Sequence, residues 1–311
     1  MKTVKTIIIT LLVLVGLTQN VWAAPTASLD EYLIFAISDF VFKGKNSQGG
    51  NLLGGHIGVN ALTPGNNNPV MRIGEVFMDP GTYAVADSLR INQDDGVMGD
   101  IYTNQLFGTA TFTLLGTQST FTPPVFNPFP TLFTAFSAGT TDVDVPNGTT
   151  LDLAPGIYGS LEVHDNATLR LGPGIYTFEY VNIAKKVKVY TTPGTIVQIA
   201  GATDPNKNDF HMNEQSYVGS EDPNIESIAL FRIQGDSVRF GHQGEFWGVV
   251  LAPDAHVDLG GNWDHYGRYV VDSVSSDFNS NVYYRNYVPE PASLFLLGGS
   301  FFAALFRRRK S

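Results

Sequence analysis

Between residues 28 and 287 the chain alternates short apolar runs with glycine, proline and polar turns, and no stretch holds a helical period. Tyr32-Leu33-Ile34-Phe35-Ala36-Ile37 and Phe40-Val41-Phe42 read as strands split by Ser38-Asp39. Lys43 to Gly50 is a turn, residues 54–60 form a short strand framed by glycines, and Thr63 to Pro69 is a loop by composition. Further on, Val85, Leu89 and Ile91 share one parity, as a half-buried strand requires. Strands follow at 97–102 and within 107–121. The segment 123–130 holds four prolines, too many for a sheet interior, and reads as a lid or as a boundary near 122–142.

The clearest pattern is a repeat. Leu151-Asp152-Leu153-Ala154-Pro155-Gly156-Ile157-Tyr158 returns 18 residues later as Leu169-Arg170-Leu171-Gly172-Pro173-Gly174-Ile175-Tyr176. A looser copy, Val189 to Ile196, follows after 20 more, and Asp79-Pro80-Gly81-Thr82-Tyr83 is of the same class. Short strands such as 161–163 and 181–183 lie between copies, with turns at Asp165-Asn166 and Lys185-Lys186. A period near 20 built of short strands and Pro-Gly corners predicts an all-β fold, a right-handed parallel β-helix or β-solenoid with irregular coils. Each coil presents inward Leu, Val and Ile that only its neighbours can cover. The alternative is an antiparallel β-sandwich, whose strands also recur every 8–12 residues. Residues 201–224 read as a long polar loop that breaks the repeat, after which strands resume and end with an aromatic one at 282–287. The blocks GVVLAPDAHVDLGGN and YGRYVVDSV resemble late coils of bacterial surface β-solenoids, a resemblance that implies a scaffold more than a chemistry.

Both ends carry targeting patterns. Lys2 and Lys5 precede an apolar stretch, Thr6 to Leu17, and Val21-Trp22-Ala23 offers the small residues a signal peptidase reads. Cleavage is expected after Ala23 or Ala24, making 1–23 a signal peptide. At the other end Val288-Pro289-Glu290-Pro291 precedes a 15-residue apolar run, Ala292 to Phe306, and then Arg307, Arg308, Arg309 and Lys310. A bilayer core takes about 20 helical residues, so this is a short transmembrane helix whose basic end stays cytoplasmic. Pro-Glu-Pro, an apolar segment and an Arg-rich end, in that order, resemble the PEP-CTERM sorting signal of exported Gram-negative bacterial proteins. The resemblance implies an exosortase that recognises and removes residues 288–311 at the inner membrane. It further implies a surface or extracellular body, 24–287, linked to exopolysaccharide or biofilm.

Charge and composition narrow what that body does. The chain has 19 Lys and Arg against 29 Asp and Glu, and residues 1–23 and 291–311 hold six of the cations and no acid. Without those two segments the chain carries a net charge near −16, which argues against nucleic acid and anionic lipid as electrostatic partners. Cysteine is absent, so burial alone must hold the fold.

Three chemistries deserve weighing against a plain scaffold. A β-helix polysaccharide lyase or hydrolase would need clustered carboxylates with a basic partner. Asp254, Asp258 and Asp264 with His256, His265 and Arg268 are the local group offering both, and His256 and Asp258 share a parity. No motif fixes their geometry, so no catalytic residue is assigned and the body reads as a non-enzyme. Calcium is the ion best suited to the loop carboxylates Asp94, Asp95, Asp204, Asp209, Glu221 and Asp222, although they match neither an EF-hand nor a nonapeptide repeat. The six histidines lack zinc-site spacing, and no cofactor or metal is expected. A carbohydrate-binding module is the third alternative. Trp247, Trp263, Tyr266, Tyr269, Tyr283, Tyr284 and Tyr287 would supply a sugar-stacking platform or, equally, a core. One short row of threonines, Thr109, Thr111 and Thr113, falls well short of an ice-binding array.

Overall fold

A computed structural model describes residues 28–43, 50–62, 69–92, 96–107, 112–127, 129–277 and 279–287. The expected signal peptide 1–23, its cleavage residues Ala23 and Ala24, the motif 288–291 and the tail to Lys310 lie outside the described residues.

Inward-facing Leu, Val, Ile and Phe at every second position draw the short strands into parallel ladders, each covering the next. The two best copies of the repeat meet in parallel, Leu151 opposite Leu169 and Leu153 opposite Leu171, and the second meets the third as Leu169 opposite Val189. This pairing excludes the antiparallel sandwich. Each coil contributes to three sheets that run the length of the stack. Sheet A begins with Val143–Val145, Leu161–Val163, Val181–Ile183, Phe210–Met212 and Ser237–Phe240. Sheet B begins with Thr150–Leu153, Thr168–Leu171, Lys188–Thr191 and Ser216–Gly219. Sheet C begins with Gly156–Ile157, Gly174–Phe178, Thr195–Ile199 and Ala229–Ile233. Two long strands, Gly244–Leu259 and Trp263–Ser276, bend across the corners and serve all three sheets.

The stacking order departs from the chain order. Beyond Trp263–Ser276 and Asn281–Tyr284 the next coil is the N-terminal one. Tyr32–Phe42 pairs with Trp263–Ser276 through seven positions, and Gly50–Leu53 pairs with Asn281–Tyr284. From there the stack climbs again, through His56–Val59, Tyr83–Val85 and Asp100–Tyr102 in sheet C, to Gln118–Ser119. One apolar core runs through both halves, from Leu161 and Leu169 through Phe246 and Trp263 to Ile57 and Met98.

Residues 122–142 therefore join opposite ends of the stack. They are a strap along the outside of sheet C, and the core has no boundary there. Phe126 exchanges two hydrogen bonds with the Asn60 side chain, and Phe129 stacks on Phe35 at 5.9 Å. The Phe136 backbone exchanges two more with Gln234. The covering segment expected from its prolines is present. Its apolar residues Val125, Phe126 and Phe129, with Phe121 just before them, close over Tyr32, Phe35, Tyr83 and Val85.

The polar stretch 201–224 is not an interruption. It holds Phe210–Met212 and Ser216–Gly219, a coil of its own. Phe210, Met212 and Val218 are its buried apolar residues, too few and too spaced to stand out among Asp, Asn and Glu.

Candidate functional site

The six residues grouped as candidate catalysts do not converge. Alternation along Gly244–Leu259 turns Asp254, His256 and Asp258 outward between buried Ala255, Val257 and Leu259. The strand shifts register between Ala252 and His256 as it turns the corner. Asp254 consequently borders a cleft of about 520 Å³ with residues 201–209 and 234–237. His256 is held by two hydroxyls of the next coil, Ser273 at Nδ1 and Ser275 at Nε2, both 2.9 Å away. Asp258 faces Arg239 at 3.9 Å. The other three candidates belong elsewhere. His265 is fully buried with Nδ1 2.7 Å from the Tyr269 hydroxyl, and burial lowers its pKa to about 3. Arg268 donates to the Leu29 carbonyl at 3.2 Å, and Asp264 accepts from Asn281 at 2.8 Å. No proton donor faces a basic partner across an open space within this set.

The aromatic platform also separates into two populations. Trp263 and Tyr269 are fully buried. Trp247, Tyr266 and Tyr283 point outward from successive strands of sheet B and stack face to face, with centroids 4.1 and 4.9 Å apart. Each ring covers its neighbour's face, so the ladder presents edges to solvent where sugar stacking needs faces.

Three of the loop carboxylates, Asp204, Asp209 and Asp222, are committed to the backbone. Asp209 is buried and accepts from the Ala202 and Ser237 amides at 2.6 and 2.8 Å. Asp204 and Asp222 each accept from the amide two residues on, and this lowers both pKa values. Glu221 forms a two-point pair with Arg170, at 2.9 and 2.7 Å. Asp94 and Asp95 lie outside the described residues. Among the described residues no group of three or more His, Cys, Asp or Glu is arranged to hold a metal.

What the coils do assemble is a polar row on the outside of sheet A. Asp144, Glu162, Asn182, His211, Arg239, Asp258 and Ser275 occupy equivalent positions in seven successive strands. Strand spacing sets neighbours about 4.8 Å apart. His164 pairs with Asp144 at 2.9 Å, and Glu162 accepts from Asn182, Tyr180 and Lys207 at 2.6, 2.9 and 3.0 Å. Burial raises the Glu162 pKa, but those donors outweigh it and hold the carboxyl below its ordinary value. His211 is lowered by burial first and by Arg239 second. The row was missed in the sequence because its members are 17 to 29 residues apart and no two neighbours in it share a type. Only the register of the coils aligns them.

No curated protein matches the chain. Among solved structures it shows a likeness to an ice-binding protein from an Antarctic bacterium, Flavobacteriaceae. Identity is 13%, each chain is covered to 81% and the TM-score is 0.28. At that score the likeness carries no argument about this chain. The C-terminus gives the firm finding: residues 288–310 match the PEP-CTERM protein-sorting motif, and with it the chain bears the address of an exported, surface-sorted exosortase substrate.

Proposed function

We propose that the exported body is a structural or adhesive component of the cell surface or extracellular matrix, associated with exopolysaccharide in a biofilm. The polar row of sheet A carries this reading. Donors and acceptors repeated at strand spacing over seven coils suit a long polymer, which many weak contacts hold better than one deep site. The acidic body makes a neutral or cation-bridged polymer the better partner. The body acts as a scaffold and not as an enzyme. Among the residues weighed for catalysis or metal, His256 is engaged by two serines, Asp258 faces Arg239, and Asp209 and Glu221 are held by backbone amides and by Arg170.

Cosedimentation of residues 24–287 with exopolysaccharide from the same cells tests the proposal. Binding is expected, and joint replacement of Asn182, His211 and Arg239 by Ala weakens it about tenfold, a loss of about 1.4 kcal/mol. Binding untouched by the triple change sinks the role of the row. Depolymerisation of an acidic polysaccharide, abolished by Asp258→Ala, overturns the scaffold reading itself.

A further inference from the structure

The sorting motif starts one residue after the chain leaves the folded surface. Asn281–Tyr284 is the last strand of the chain and lies in sheet B. The Arg285 amide then donates to the Gly267 carbonyl at 3.1 Å, and the Arg285 guanidinium sits 3.5 Å from Glu226. Tyr287 packs into an apolar cluster on the outside of sheet C, formed by Ile228, Leu230 and Val249 with Trp247 and Leu251. The body thus holds the chain as far as residue 287. The matched motif begins at 288 and the apolar run at Ala292.

Four residues separate the folded surface from the membrane segment. From Tyr287 to Ala292 an extended chain spans at most about 17 Å, and the headgroup layer takes about 5–8 Å of that. The exit point is far from both ends of the stack. In sheet C, four described strands lie on one side of Gly244–Leu259, the strand whose Val249 and Leu251 pack against Tyr287, and six on the other. These correspond to about 19 and 29 Å at 4.8 Å per strand. The remaining reach, about 10 Å, is too short for either end to stand on the bilayer.

We propose that, before sorting cleavage, the solenoid lies along the lipid surface with the corner between sheets B and C against the headgroups. The inference rests on the reading of residues 292–306 as a transient membrane anchor. The chemistry of that corner fits a headgroup layer. Trp247, Tyr266 and Tyr283 present their edges there, Ile225 is about half exposed, and aromatic side chains of this kind settle at bilayer interfaces. The acids nearest the exit are engaged: Glu226 by Arg285, Asp264 by Asn281 and Glu245 by the Trp247 indole. Sheet A is the side of the coil opposite this corner, so its polar row is displayed away from the membrane.

The chain has no cysteine, so single labels are clean. Ile225→Cys near the exit and Arg239→Cys on sheet A would each carry an NBD fluorophore. The protein, residues 24–311, would be reconstituted into phosphatidylethanolamine–phosphatidylglycerol vesicles containing a headgroup-nitroxide lipid. The proposal expects quenching at 225 several times that at 239, and loss of the difference when a twenty-residue Gly-Ser linker is inserted after Tyr287. Equal quenching at both sites in protein that floats with the vesicles overturns the orientation. A difference that survives the linker overturns the tether as its cause. Protein that does not float refutes the anchor reading, and the orientation falls with it.

Discussion

His265 is a polar ring in an aromatic core, within 4.9 Å of the Phe240 ring and 5.6 Å of Trp263. If the Tyr269 hydroxyl donates to Nδ1, the N–H at Nε2 has no acceptor; if Nδ1 donates, the hydroxyl hydrogen has none. Either arrangement tolerates a neutral ring and opposes a charged one. Because burial lowers its pKa from the ordinary 6.5 to about 3, the unfolded chain binds a proton here that the folded chain does not. Stability is fully present above pH 6.5 and is lost as pH falls towards 3, by a few kcal/mol in order of magnitude. Urea midpoints measured between pH 7 and 4 should decline, and His265→Phe should flatten the decline. An unchanged slope would assign the acid sensitivity to other groups. The sequence was ambiguous here for a physical reason. In Trp263 to Tyr269 both parities carry aromatics, so alternation did not reveal whether His265 or Asp264 faces in.

At the corner between sheets A and B the backbone turns through the left-handed region in seven successive coils. Gly148, Asn166, Lys186, Gln215, Gln243, Asn262 and Asn279 all have φ between 58° and 67°. Glycine and asparagine tolerate this conformation, whereas the Cβ of a lysine or glutamine meets the following carbonyl at a cost of about 1–2 kcal/mol. Lys186 is exposed, so Lys186→Gly should raise stability by about 0.5–1 kcal/mol, read from the thermal midpoint. Lys188 is exposed on the adjacent strand Lys188–Thr191, and there the same change should lower stability by a similar amount. A loss at both positions would remove corner strain as the explanation. The turn at 165–166 and the Pro-Gly corners were legible because Asn, Gly and Pro mark them, and the Lys185-Lys186 turn because it falls 20 residues after Asp165-Asn166, at the period of the repeat. Gln215 and Gln243 carry no such mark, and for that reason the coil within 201–224 passed for a loop.

Repeats specify neighbours only where successive coils resemble each other. Leu151 and Leu169 predict one another, but no copy of the motif tells Tyr32–Phe42 to stack on Trp263–Ser276. What matches them is length and curvature, since both cross the corner from sheet C to sheet A with a register shift at the bend. Polar bonds then fix the match. The Ser38 hydroxyl donates to the Asp272 backbone carbonyl and carboxylate at 3.1 and 3.0 Å, and the Asn281 side-chain Oδ1 accepts from the Asn51 backbone amide and side chain at 3.1 and 2.8 Å. Such a junction, continuous with the common core, should hold the two halves together without the covalent strap. A protease site placed at the exposed Thr134-Ala135 pair of the strap tests this. After complete cleavage the fragments on either side should co-elute in native buffer and separate in denaturant. The aromatic cover of Phe126 and Phe129 on Phe35 stays with the N-terminal fragment, so the cut does not expose it. Fragments that part under native conditions would mean that the strap, and not parallel pairing between distant strands, keeps the solenoid whole.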